Sequence, residues 1–94
     1  MDKLKFYIDG AWVDPAVPST LGITNPATEQ TFAQISLGSR EDVDKAAKAA
    51  RRAFDSYCDT SVEERLGYLH KIIAGFRARL PELARMMTLE MGSP

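Results

Sequence analysis

Two stretches of helical periodicity fill the second half of this sequence, and each carries its own start signal. Ser39-Arg40-Glu41-Asp42 sets a capping serine three residues before a carboxylate, an acidic relative of the capping box, so a helix is expected to start at about residue 40. Its apolar positions Val43, Ala47, Ala50, Phe54 and Tyr57 alternate spacings of four and three, while Asp44, Lys45, Lys48, Arg51 and Arg52 fall largely off that stripe. The many alanines imply close packing against a neighbour. Ser61-Val62-Glu63-Glu64 has the form of a full capping box and opens a second helix with Val62, Leu66, Leu69, Ile73, Phe76 and Leu80 on one stripe. Pro81 suits the first turn of a third helix over residues 82–90, bearing Leu83, Met86 and Met87, and Gly92 is a natural stop.

The first half has the alternation and turn chemistry of strands. Phe6-Tyr7-Ile8 and Ala11-Trp12-Val13 flank Asp9-Gly10, a pair that tolerates the positive φ angles of a two-residue hairpin turn. Asp14-Pro15 ends the second strand, since proline cannot donate to the ladder, and residues 15–20 form a loop. Residues 21–24 and 31–35 are two further strands, joined by Asn25-Pro26-Ala27-Thr28, whose short polar side chains bond their own backbone. The expected fold class is α+β: an N-terminal hairpin and meander of about four strands followed by three amphipathic helices. So small a meander is marginal alone and needs cover on one face.

Composition excludes several classes. Ninety-four residues suffice for one modest domain or part of one, and 45% hydrophobic with 27% charged residues is ordinary globular material. A formal charge of -1 offers no excess positive field for a phosphate backbone, so nucleic acid is not an expected partner. The apolar runs fall far short of the ~20 residues that span a bilayer, and no signal-peptide core follows the first residues; the expected setting is cytoplasmic, away from membranes. The single cysteine excludes an internal disulfide framework.

A search for chemistry finds no catalytic constellation. Cys58 is the only thiol, and its neighbour Asp59 opposes the thiolate. His70 is the only histidine and has neither a second histidine nor a cysteine pair to build a metal site. Glu41-Asp42 and Glu63-Glu64 stand in first turns, where capping accounts for them. Arg77, Arg79 and Arg85 are too dispersed for a phosphate clamp, and no glycine cluster forms a phosphate loop or dinucleotide fingerprint. Met86, Met87 and Met91 are at the spacing of core filling. Gly67 and Gly75, inside the second helix, each cost ~1 kcal/mol relative to alanine. Either another backbone comes close to them or the helix is locally weak.

Several short motifs nonetheless recur in a known order. Tyr7-Ile8-Asp9-Gly10-Ala11-Trp12-Val13, Asn25-Pro26-Ala27-Thr28, Gly38-Ser39-Arg40-Glu41-Asp42-Val43-Asp44-Lys45-Ala46, Ala49-Ala50-Arg51-Arg52-Ala53-Phe54, Glu64-Arg65 and Thr88-Leu89-Glu90-Met91-Gly92-Ser93-Pro94 follow one another across nearly the whole chain. None is diagnostic alone; together they resemble the N-terminal segment of the aldehyde dehydrogenase superfamily. Two positions depart from the pattern: Ser93 stands where lysine is common, and Tyr57 where tryptophan is frequent.

The resemblance implies an α/β parent of which this chain is the first part of the NAD(P)-binding domain. Such a parent oxidises an aldehyde to a carboxylic acid with NAD or NADP. A cysteine thiolate attacks the carbonyl, hydride passes to the nicotinamide, and a glutamate-activated water hydrolyses the thioester. Those groups, the oxyanion asparagine and the dinucleotide site are expected further along the parent. Cys58 does not match the nucleophile, and the chain by itself is expected to hold no cofactor and to be inactive. Its expected partners are the remainder of the polypeptide and, in the parent, a small aldehyde and further copies of the same chain. The resemblance also implies a monovalent cation held by main-chain oxygens of Ile23 and Thr24 with Glu90, although Glu90 is equally a polar residue near a helix end. From another class, an independent helical module that binds a partner through its apolar stripe is the alternative reading.

Overall fold

The computed structural model describes residues 2–94. Strands β1 (Phe6–Ile8) and β2 (Ala11–Val13) pair antiparallel, with Phe6 opposite Val13 and Ile8 opposite Ala11. The turn between them holds Asp9 at φ 54° and Gly10 at φ 75°, both in the left-handed region that a two-residue turn of this type requires. Tyr7 and Trp12 face each other across the hairpin edge to face, 5.2 Å between ring centroids.

Strands β3 (Thr20–Asn25) and β4 (Gln30–Ser36) form a second antiparallel pair. The Asn25 carboxamide oxygen accepts from the Ala27 amide at 2.9 Å, and the Glu29 amide donates to the Asn25 carbonyl at 2.8 Å. Glu29 itself takes φ 60°. The register shifts by one residue: Ile23 faces Ala33 but Thr24 faces Thr31, so Phe32 is the extra residue of a bulge. Leu21, Ile23, Ala33 and Ile35 share one face, on which Ala33 is buried and Leu21 exposed.

The two hairpins are separate two-stranded sheets and not one four-stranded meander. The segment that could have joined them contains Pro15 and Pro18, which have no N–H to extend a ladder. It is tied instead to a helix, as described below. Near the N-terminus Lys3 bridges Ile35 in parallel, and the Lys3 amide donates to the Gln34 carbonyl at 3.0 Å.

Two helices follow, not three. Helix α1 spans Arg40–Tyr57 and α2 runs without a break over Val62–Met91, with Pro81 inside it. Proline lacks the N–H that would bond the Arg77 carbonyl and is unfavourable in a helix interior by ~3 kcal/mol. The helix nevertheless continues, and a two-pronged ion pair straddles the proline: Arg79 Nη2 and Nε stand 2.7 and 3.0 Å from the two Glu82 carboxylate oxygens. The pairing raises the Arg79 pKa and lowers that of Glu82, through the hydrogen bonds first and the opposite charges second. Gly92 closes α2 at φ 71°, its amide donating to the Thr88 carbonyl at 3.0 Å.

The two start signals differ from their sequence forms. At α1 the box is reciprocal, with the Asp42 amide on Ser39 Oγ and the Ser39 amide on Asp42 Oδ2. At α2 the Glu64 amide donates to Ser61 Oγ at 3.1 Å without the return bond, so the better match to the motif makes the simpler cap. The face of α1 turned to the hairpin follows only part of the Val43, Ala47, Ala50, Phe54 and Tyr57 stripe, and Val43 lines a cleft with Phe6, Tyr7 and Ile8. Ala46, Ala49, Ala50 and Ala53 line the cleft against residues 7–10, while Val43, Phe54 and Tyr57 remain exposed. Small side chains let the thin hairpin approach the helix axis.

Candidate functional site

The groups that fix the fold are the polar joints between elements. Asp42 is the one buried charged residue among those described, 5% exposed. Its Oδ1 accepts from the Ala16 amide at 2.9 Å and its Oδ2 from the Ser39 amide and hydroxyl, each at 3.0 Å. The carboxylate therefore holds both the α1 start and the loop leaving β2. These bonds, the Ser39 amide first and the Ala16 amide next, keep its pKa below the ordinary carboxylate value, against the opposing effect of burial. Capping was legible from sequence; the bond to Ala16, 26 residues away, carried no local signal.

The α1–α2 joint is built around Arg65. Its Nε donates to Thr60 Oγ1 at 3.0 Å and Nη2 to the Cys58 carbonyl at 3.4 Å, and its guanidinium lies 5.6 Å from the centroid of the Tyr57 ring. Tyr57 stacks on Tyr68 of α2 at 6.5 Å. From the turn of the first hairpin, Asp9 pairs with Arg52 of α1 at 3.2 Å.

None of the reactive groups considered from sequence is drawn into a catalytic arrangement. Cys58 is exposed at the end of α1, its thiol directed to two acceptors, the Asp55 carbonyl at 3.5 Å and the Asp59 carboxylate at 3.8 Å, while Arg65 bonds its carbonyl. His70 is exposed on α2. Among the described residues no three His, Cys, Asp or Glu side chains gather as a metal site, and no helix is long and apolar enough to cross a membrane.

Ile23 and Thr24 flank the β4 bulge, and Glu90 lies in the last turn of α2, which packs against β3. A Cβ placed on Gly92 would stand 3.3 Å from Pro26 Cγ, so the two elements meet closely there. The donors on offer, main-chain carbonyls and one carboxylate, are hard oxygens that suit an alkali cation and not a soft metal.

The largest feature is a surface. Helix α2 has no buried residue in its 30 positions, and only Met86 and Leu89, both beyond Pro81, are half-buried. Val62, Leu66, Leu69, Ile73, Phe76 and Leu80 are all exposed, Phe76 by 60%. An apolar cleft of ≈ 350 Å³ lies among Ile72, Gly75, Phe76, Arg79 and Leu83. The chain exposes 7777 Å² in total. A compact monomer of this length would expose about 5,400 Å². Its radius of gyration is 17.0 Å, where about 12 Å is expected of a compact domain. Such an open apolar face on a globular chain is the mark of an interface.

Comparison with known proteins identifies the context of that surface. Residues 12–94 match the aldehyde dehydrogenase family profile. A 3-succinoylsemialdehyde-pyridine dehydrogenase from a Pseudomonas species is 46% identical over 93 residues, which are 99% of this chain and 20% of the relative. The crystal structure of an aldehyde dehydrogenase from Bartonella henselae superposes with a TM-score of 0.97 at 45% identity, covering 100% of this chain and 20% of that one. Aldehyde dehydrogenase C from Pseudomonas syringae, a mutant in complex with NAD+ and octanal, superposes at 0.91 with 44% identity over 95% of this chain and 18% of its own. The chain spans about a fifth of the length of these relatives, and it belongs to the aldehyde dehydrogenase family.

Proposed function

We propose that this chain serves as the N-terminal scaffold segment, within the NAD(P)-binding domain, of an aldehyde dehydrogenase that oxidises an aldehyde to a carboxylic acid with NAD or NADP. The observation that carries the reading is the uncovered face of α2, on a chain that spans a fifth of its relatives' length. The segment contributes cover and packing, while the nucleophile, the activating glutamate and the dinucleotide site belong to the remaining four-fifths. A cytoplasmic, homo-oligomeric parent completes the proposal. The Ile23 and Thr24 carbonyls with Glu90 hold a monovalent cation that ties the end of α2 to β3.

A chimera tests this reading: the chain replaces the corresponding segment of the Bartonella henselae relative, and aldehyde-dependent reduction of NAD+ and NADP+ is followed. Activity within about tenfold of the unmodified relative is expected, with none from the 94-residue chain alone. A folded but inactive chimera refutes the scaffold role. A 94-residue chain that is monomeric, melts cooperatively and binds no hydrophobic dye would favour the independent module instead. For the cation, sodium or potassium should raise the chimera's melting temperature, and Glu90→Gln should abolish that rise; equal responses with and without Glu90 would dismiss the site.

A further inference from the structure

Strand β4 is the longest strand of the chain, and its seven residues include no charge, no proline and no glycine. Uncharged β-formers with a free edge are a template for pairing with another chain. One edge of β4 is covered by β3. On the other edge stand the Gln34 and Ser36 amides, and the N-terminal residues meet both. The Ser36 amide donates to the Lys3 carbonyl at 3.3 Å and the Lys3 amide to the Gln34 carbonyl at 3.0 Å, which together make the parallel bridge at Ile35. A side chain extends the bridge at either end: Asp2 Oδ1 accepts from the Gln34 amide at 2.9 Å, and Ser36 Oγ donates to the Leu4 carbonyl at 2.6 Å. Asp2 and Lys3, both exposed, bring to this edge the charges that β4 lacks. The chain then passes through Lys5 into β1, so one short stretch borders β4 and then pairs with β2.

We infer that residues 2–4 are a strap, a charged segment that occupies the outer edge of β4 in cis and keeps β4 of a second copy of the chain from pairing there. The occupant is named by its bonds: a carboxylate at one end, a paired main-chain residue in the middle and a carbonyl on a hydroxyl at the other. A second copy is the rival because two bare β4 edges set antiparallel would offer each other the Gln34 and Ser36 amides and the Gln34 carbonyl with no charge opposed. With the strap in place an approaching edge meets the charged Asp2 and Lys3 and finds those donors already engaged. The inference concerns contacts inside this chain and stands apart from the reading of the chain as one segment of a longer enzyme.

The test follows hydrogen exchange in the chimera described above and, in parallel, in the 94-residue chain, so that a chimera that fails to fold without any substitution counts against the segment reading alone. Lys3→Pro removes the Lys3 N–H and should speed exchange of the Gln34 and Ser36 amides about tenfold or more, whereas Lys3→Ala, which keeps the main-chain bonds, should leave both unchanged. The Ala33 and Ile35 amides, directed at β3 by the alternation of the ladder, should hold their rates in both variants and report that the hairpin is still folded. If they accelerate too, Asp2→Ala gives the same comparison at Gln34 alone. Deletion of residues 2–4 should produce association that the undeleted chain does not show, with protection returning at Gln34 and Ser36 as concentration rises. Unchanged exchange at Gln34 in both Lys3→Pro and Asp2→Ala overturns the inference, as does a deleted form whose mass is independent of concentration. Association of the deleted form with Gln34 and Ser36 still exchanging freely places the new contact elsewhere and overturns it as well.

Discussion

Replacing Pro81 by alanine isolates the least expected feature of the fold, a proline in the interior of a 30-residue helix. The substitution restores a donor that can reach the Arg77 carbonyl and removes the ring from the preceding turn. Those two effects together are worth ~3 kcal/mol in a helix interior. Alanine also frees the unfolded chain, which takes back about 0.4–1 kcal/mol. The Arg79–Glu82 pair is untouched and contributes equally before and after. The net expectation is about 2 kcal/mol in favour of the unbroken helix, close to a thirtyfold shift against forms opened at residues 77–81. Far-UV circular dichroism of the isolated chain should therefore show more helix in Pro81→Ala. Hydrogen exchange should slow for amides between residues 78 and 84 more than at the helix ends. Had a separate helix begun at Pro81, the residue would stand in a first turn where proline is well tolerated, and the change would be nearly neutral. Unchanged helicity, or slower exchange spread evenly along α2, would refute the continuous helix.

Other consequences concern the joints. In the chimera, Ser39→Ala should destabilise by about 1–2 kcal/mol and Ser61→Ala by roughly 0.5 kcal/mol, since only the first cap is reciprocated; equal losses in thermal melts would remove that distinction. Asp42 makes its full contribution above the unfolded carboxylate pKa of ~3.9 and loses it as pH falls through its lower folded value. An acid titration should accordingly show Asp42→Asn less sensitive than the parent below that range, and parallel acid limbs would contradict it. Gly10→Ala forces a side chain into the left-handed region at φ 75° and should cost about 1 kcal/mol, read as a lower melting temperature.

The parts of this fold that were legible in the sequence are those fixed by neighbours along the chain. Asp9-Gly10 specifies a turn because two adjacent residues must take positive φ, and the Asn25 turn closes through atoms two and four residues apart. Helix starts at Ser39 and Ser61 are equally local. What escaped depends on closure in space. Pro81 looked like a beginning because its propensity is judged against an average helix, while here the turns on either side continue through it. Periodicity ranks residues by apolarity and so includes Phe54 and Tyr57, which stay exposed, whereas the hairpin selects the small Ala46, Ala49, Ala50 and Ala53. Gly67 and Gly75 are alike in sequence and alike in surroundings, a Cβ on either meeting nothing within 4 Å.

The same distinction explains where the residues of the family pattern fall in the fold. Several of the residues that mark the resemblance make joints: Asn25 closes the β3–β4 turn, and Asp42 ties the α1 cap to the loop at Ala16. Arg65 fastens the α1–α2 corner against Tyr57, and Gly92 ends α2 within reach of Pro26. Each is a position where a particular side chain, or the lack of one, satisfies a constraint between elements. Tyr57 supplies the aromatic surface over which the Arg65 guanidinium lies. Ser93 takes part in no comparable joint among the hydrogen bonds of the described residues, and the structure gives no reason for serine there. What this chain supplies is a set of joints between its own elements and, in α2, a long uncovered apolar face.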